Sequence, residues 1–156
     1  PKSKGQISIL KNDVNESPSI LFNYLKHNSD ILGFRRSIKL TRDILQQDAL
    51  NEYRGKEIQP GVDVQADDEI DAFIRESVES AYHPSCSCKM GADELAVVDA
   101  TTSVIGIKGL RVVDASIFPK IPNGNINAPT IMVAERAADI ILNKKTLEPL
   151  DLNGSI

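Results

Sequence analysis

Apolar and polar side chains alternate through residues 5–10, where Ile7 and Ile9 flank Ser8, and this period of two predicts a half-buried strand. Turn formers follow at Asn12, Asp13 and residues 15–18. The short apolar and aromatic run 19–25 predicts a second strand, antiparallel to the first. The period then changes. Ile31, Phe34, Ile38 and Leu45 recur at roughly helical spacing behind Ser29, a favourable N-cap, and Asp30, an acid suited to the positive end of a helix. Arg35, Arg36, Lys39 and Arg42 occupy the other faces, a pattern that reads as a solvated helix face in preference to an anion site.

Residues 48–54 predict a further helical turn, and Gly55 with Pro60-Gly61 marks a loop. The acidic opening Asp67-Asp68-Glu69 and the stripe Ile70, Phe73, Ile74 and Val78 predict a second helix, running out near Ala81. Three short strands are predicted at 96–99, 103–106 and 110–114, with glycines at the turns. Residues 115–127 form a loop punctuated by Pro119, Pro122 and Gly124. Pro129 suits the first position of a last helix, whose Ile131, Met132, Ala134, Ala138, Ile140, Ile141 and Leu142 are apolar enough to predict that it is largely buried. Lys144-Lys145 and a polar stretch follow it. The elements define an α+β fold, an antiparallel sheet with helices packed on one face.

A chain of 156 residues can bury one ordinary core, and its 41% hydrophobic and 26% charged composition is that of a globular protein. The net charge of −4 argues against a nucleic-acid partner, which calls for a basic face. No apolar run approaches the length of a membrane span. The chain opens on Pro1 without an initiating Met, the expectation for a piece of a longer protein.

Reactive side chains concentrate between Tyr82 and Gly91, where His83, Cys86 and Cys88 fall within six residues. Cys86 and Cys88 are too close in sequence for an unstrained disulfide. Three chemistries compete for this stretch. His83, Cys86 and Cys88 offer three ligand types suited to zinc, in an H-x2-C-x-C spacing that lacks a fourth ligand and the usual C-x2-C knuckle. A reactive thiol would need an exposed sulfur with a lowered pKa, for which only Lys89 stands nearby. An imidazole acting as a general base or hydrogen-bonding catalyst is the third possibility. His27, in a polar turn, is expected to be exposed. Asn127, two residues before Pro129, stands at the mouth of the apolar helix, where backbone amides favour negative charge. A histidine and an asparagine brought together there could orient a hydroxyl and stabilise an anion. Ordinary turn and capping chemistry accounts equally for Asn125 and Asn127.

The blocks from Tyr82-His83-Pro84 to Lys89-Met90-Gly91, from Leu110 to Ile117, and Gly124-Asn125-Ile126-Asn127-Ala128-Pro129-Thr130-Ile131-Met132 closely resemble the C-terminal region of the glucose-methanol-choline (GMC) oxidoreductases. The runs 20–25, 33–35, 40–44 and 53–58 are similar to the choline-oxidising members in particular. The resemblance covers nearly the whole chain. It implies an FAD enzyme that oxidises an alcohol, here choline, to an aldehyde by removal of the hydroxyl proton and transfer of hydride to flavin N5. His83 then corresponds to the histidine that handles the hydroxyl proton, and Asn127 to its partner in the active site. Asp114 and Ala115 fall where the family approaches the cofactor's phosphate or ribityl region, and Asn127, Ala128, Pro129 and Thr130 where the last helix points at the flavin N1–O2 edge.

The family's G-x-G-x-x-G dinucleotide fingerprint is absent from this chain. The resemblance therefore implies a C-terminal fragment, with residues 1–111 from a substrate-binding domain and 112–156 completing an FAD-binding domain. The remainder of that domain, N-terminal to this chain, is the expected partner, and the fragment alone is expected to be inactive and to bind FAD weakly or not at all. The full-length enzyme is expected to be cytoplasmic or peripherally attached to a membrane. Two alternatives stand beside this reading: another primary alcohol as substrate, or a metal-stabilised binding module that is not an enzyme.

Overall fold

The computed structural model describes residues 1–145, in two compact units, Pro1–Ser80 and the residues from Ala81 onward. Expectations for the end of the chain beyond residue 145, including the close of the 112–156 segment, lie outside the described residues. The described residues form an α+β structure with three α-helices and one two-stranded antiparallel sheet.

In the first unit, β1 (Gln6–Ser8) pairs with β2 (Ser19–Leu21), with Ile7 opposite Ile20. Both strands are shorter than the apolar patterns suggested. A Cβ at Gly5 would lie 2.3 Å from the Leu21 carbonyl oxygen, so the close backbone approach just before β1 needs glycine. Helix α1 (Asn28–Leu45) is capped by His27, whose Nδ1 accepts the Ser29 amide at 3.2 Å; the expected cap, Ser29, lies inside the helix. Imidazole can fill this role because a cap needs only an acceptor aimed at the first amides. His27 is exposed, as its polar turn suggested.

Asp30 does more than favour the helix dipole. Its carboxylate accepts the Lys2 and Ser3 amides at 2.7 and 2.8 Å and the Ser3 hydroxyl at 2.5 Å, tying the start of the chain to α1.

Helix α2 (Asp67–Ser77) begins where the acidic run placed it, and the Glu69 carboxylate reaches back to the Ala66 amide at 2.9 Å. It ends at Ser77, short of the expected Ala81, because Val78 has left the helical conformation, with ψ 130°. Ile31 of α1 and Ile70 and Ile74 of α2 are the buried apolar positions of the unit.

The basic face of α1 departs from the solvated face the sequence suggested. Arg35 binds Asp71 through Nη2 at 2.5 Å and Asp67 through Nη1 at 2.7 Å, and Lys39 reaches Asp67 at 2.6 Å. Arg42 donates to Glu57 at 2.8 Å and to the Gly61 and Val64 carbonyls at 3.1 and 2.9 Å, so one guanidinium closes the loop that follows α1. Residues 48–54 contribute a single 3-10 turn, Asp48–Leu50.

In the second unit the three strands expected between residues 96 and 114 are reduced to isolated bridges, Met90 with Val98, Val98 with Val104, and Ser103 with Arg111. Side chains compete with the ladder here. Asp99 Oδ1 accepts the Thr101 amide, the Thr101 hydroxyl and the Ser103 amide at 2.7–3.0 Å, folding the chain back after one bridge. Val98, Ile117, Phe118 and Ala137 are buried, together with Thr102.

Helix α3 spans Asn127–Ile141 and begins two residues before the expected start, so Pro129 is its third residue. Its missing N–H is still harmless, because no amide of the first turn has an intrahelical partner. The prediction that α3 is largely buried fails: Ile131 and Met132 are 54% and 62% exposed, and Ala137 is its one fully buried position. Its apolar surface is larger than the described residues of this unit can cover.

Candidate active site

His83 is held in place mainly by backbone. Pro84 restricts it toward extended conformations. The residues after it run alongside the 3-10 turn Ala115–Ile117, with the amides of Cys86, Cys88 and Met90 donating to the carbonyls of Ala115, Ser116 and Ile117 at 3.3, 2.9 and 2.8 Å. Tyr82 and Cys86, on either side of the histidine, adopt left-handed backbone conformations with φ of 58° and 72°. Non-glycine residues in that region cost about 1–3 kcal/mol each and persist where the surroundings over-determine them. A histidine loop bracketed by two such residues has one conformation imposed on it by its ties to Ala115–Ile117.

The His83 ring is half-buried, and its Nε2 lies 2.7 Å from Asn125 Oδ1. Asn127, the asparagine singled out by the resemblance, opens α3 two residues further on. The sequence read Asn125 as turn chemistry. Alternating asparagines at 123, 125 and 127 give no periodicity that would single it out, and only the conformation of Gly124, with φ of +74°, turns the chain so that Asn125 meets the imidazole.

Asp114 caps the 3-10 turn, its Oδ1 accepting the Ser116 amide at 2.7 Å, and the Ala115 carbonyl accepts from Cys86 and Phe118. The two residues therefore brace the histidine loop, whatever else they contact. Cys86 and Cys88 are free thiols, half-buried, and their amides carry the backbone ties just described. Among the described residues no group of three or more His, Cys, Asp and Glu side chains is placed to hold a metal ion.

The first turn of α3 has the chemistry of an anion acceptor. No side chain caps it, no acidic residue lies within it, and the Thr130 amide and hydroxyl both turn inward to the Ile126 carbonyl at 3.0 and 2.7 Å. The positive end of the helix is therefore left for a group from outside. Asn127, Ala128, Pro129 and Thr130 form that first turn.

A histidine braced by a strained loop, beside an uncapped helix start, is a site that can hold a hydroxyl and meet developing negative charge. The GMC oxidoreductase family profile matches residues 1–134, and the chain belongs to that family. It is 58% identical over 151 residues to an oxygen-dependent choline dehydrogenase of Vibrio vulnificus (strain YJ016), covering 96% of this chain and 27% of that protein. A protein of the same name from Yersinia pseudotuberculosis serotype IB (strain PB1/+) is 58% identical over 139 residues, 89% of this chain and 24% of its own length. Among solved structures, pyridoxine 4-oxidase from Mesorbium loti superposes with a TM-score of 0.84 at 34% identity, over 94% of this chain and 28% of the oxidase. Formate oxidase does so with a TM-score of 0.82 at 27% identity, over 92% of this chain and 25% of its own. The chain thus spans about a quarter of the length of the relatives it matches.

Proposed function

We propose that this chain is the C-terminal part of an FAD-dependent alcohol dehydrogenase that oxidises choline to betaine aldehyde, with His83 and Asn127 at the active site. The observation that carries the reading is the meeting of His83 with the loop that leads, two residues later, into the uncapped start of α3. The substrate class is supported by choline dehydrogenases 58% identical over nearly all of this chain.

Bound FAD supplies the two-electron acceptor for the hydride of the alcohol carbon. His83 takes the hydroxyl proton, or hydrogen-bonds the alkoxide as it forms. The Asn127 carboxamide orients the same hydroxyl, and the amides at the start of α3 favour the negative charge of the reduced cofactor at its N1–O2 edge. Asp114 and Ala115 lie toward the cofactor's phosphate or ribityl region. Residues 1–111 contribute to the substrate-binding domain, and 112–156 complete an FAD-binding domain supplied by the rest of the protein. Without the glycine-rich fingerprint of that domain, the isolated chain retains no stoichiometric flavin.

A panel of primary alcohols offered to the full-length enzyme under anaerobic conditions tests the reading through bleaching of the flavin absorbance. Choline should give the highest kcat/KM and yield betaine aldehyde. Failure of choline to bleach the flavin, with another alcohol doing so, would refute the choline assignment while keeping the enzyme class.

A further inference from the structure

We infer that the β1–β2 hairpin is the margin of a larger sheet, and that a strand from the polypeptide preceding Pro1 in the full-length enzyme pairs with the outer edge of β1. This rests on the reading of the chain as the C-terminal part of a longer protein, and adds to it a surface through which the two parts join. Each strand of the hairpin has three residues, and among the described residues neither has a partner except the other. A two-stranded sheet is marginally stable in water; a third strand or a helix against one face is needed to hold it. The described residues supply neither. Ile7 and Ile20, opposite one another, are each 56% exposed, and Ile9, Leu10, Leu21 and Phe22 around them are all more than half exposed. An apolar cluster of this kind marks a surface that is covered in the assembled protein.

The open edge specifies what covers it. Its unpaired N–H and C=O groups are a template for another strand, and exposed edges are ordinarily blunted by proline or charge. The residues of β1, Gln6-Ile7-Ser8, include neither, whereas Pro18 stands directly before β2. The β1 edge is therefore the one left fit to pair. The chain spans about a quarter of the length of its curated relatives, so most of the polypeptide lies outside it. Residues 2–4 hold the point at which that polypeptide enters. Besides the bonds to Asp30, the Ser3 hydroxyl accepts the His27 amide at 2.9 Å, and the Lys4 carbonyl accepts the Asn23 carboxamide at 3.1 Å. A preceding strand is thus tethered within a few residues of β1, at high effective concentration, and pairs at a small entropic cost. A second copy of the chain has no such advantage. An edge of three residues offers far less than the total of about 1,200 Å² that a stable interface buries.

Amide hydrogen exchange, resolved by residue in the full-length FAD enzyme, tests the pairing without any substitution. The β1 amides that point away from β2 should exchange about 100-fold or more slowly than unstructured amides, at every protein concentration. Ile7→Asp should lower the melting temperature of the holoenzyme by about 2–4 °C. Val14→Asp, at a position 98% exposed, should leave it unchanged. Where Ile7→Asp prevents folding, the exchange of the wild-type enzyme decides alone. Fast exchange of the outward β1 amides, or melting of Ile7→Asp at the wild-type temperature, would overturn the inference. So would protection that disappears on dilution, which would make the occupant a second copy. Each of these results leaves the choline assignment standing, and failure of choline in the alcohol panel leaves the strand pairing standing. A native protein with the mass of this chain alone would overturn the longer-protein reading, and this inference with it.

Discussion

The two units of the chain are held together by different chemistry. In the first, two helices bury Ile31, Ile70 and Ile74, and long cationic side chains bind carboxylates on other segments: Arg35 to Asp67 and Asp71, Lys39 to Asp67, Arg42 to Glu57. In the second, the residues before α3 contain almost no regular structure. They are fixed by main-chain bonds between loops and by carboxylates of Asp99 and Asp114 that take neutral amides and hydroxyls. A charge clamp tolerates small movements of its partners, because long side chains can follow. A lattice of short backbone bonds does not, and it is there that Tyr82 and Cys86, on either side of His83, hold left-handed conformations. The site belongs to the part of the chain with the least freedom to adjust.

That contrast predicts the largest difference for one pair of substitutions. His83→Ala in the full-length enzyme should reduce turnover by about 10²–10⁴-fold, with the flavin content and melting temperature unchanged. Arg42→Leu should do the reverse. It leaves the Glu57 carboxylate and the Gly61 and Val64 carbonyls without their donor, costing about 2–3 kcal/mol of local stability, readable as faster amide exchange in α1 with turnover per flavin preserved. The same exchange in the second unit should not respond.

Gly124→Ala separates the regions at smaller cost. A side chain in the left-handed region costs about 1–2 kcal/mol, and here the strain falls on the segment that carries Asn125, so kcat should drop together with stability. Acid provides a third contrast. Burial pushes the Asp30 carboxyl up, but the Ser3 hydroxyl and the Lys2 and Ser3 amides outweigh it and hold it down to about 2. A carboxyl depressed in the folded state stabilises above its unfolded pKa of about 4, and that stability is lost as pH falls toward the folded value. Asp30→Asn should remove about 1 kcal/mol of stability at neutral pH, after solvent screening, and flatten the loss between about pH 4 and pH 2.

The smallest effect is expected at Thr102, buried, with φ of +65° and a hydroxyl without a hydrogen-bond partner. Thr102→Val should be neutral or stabilising by up to about 1 kcal/mol in thermal melting, because the desolvated hydroxyl contributes nothing in return. A loss well beyond that would show that the second unit depends on a polar contact at this turn.

The sequence made the helices readable because their stripes and start signals are local: Ile70 and Ile74 with Asp67 ahead of them are enough to place α2. It misjudged residues 96–114, where apolar runs suggest strands but Asp99 and the glycines turn the chain first. The charges on α1 were visible while their partners, 15 to 36 residues away, were not. For α3, apolar composition predicted burial that the described residues do not provide, since the area available to cover a helix is not a property of its own residues. His83 stood out through the density of reactive residues around it. Asn125 did not, because its hydrogen bond to His83 comes from a left-handed turn that brings together groups 42 residues apart.

The most direct test of the assignment of His83 to the chemical step is the rate at which choline bleaches the flavin of the full-length enzyme in anaerobic single-turnover mixing, compared between wild type and His83→Ala. If His83 handles the hydroxyl proton, flavin reduction slows by the same factor as steady-state turnover, about 10²–10⁴-fold, with the flavin still bound. Reduction of the His83→Ala flavin at the wild-type rate would contradict it.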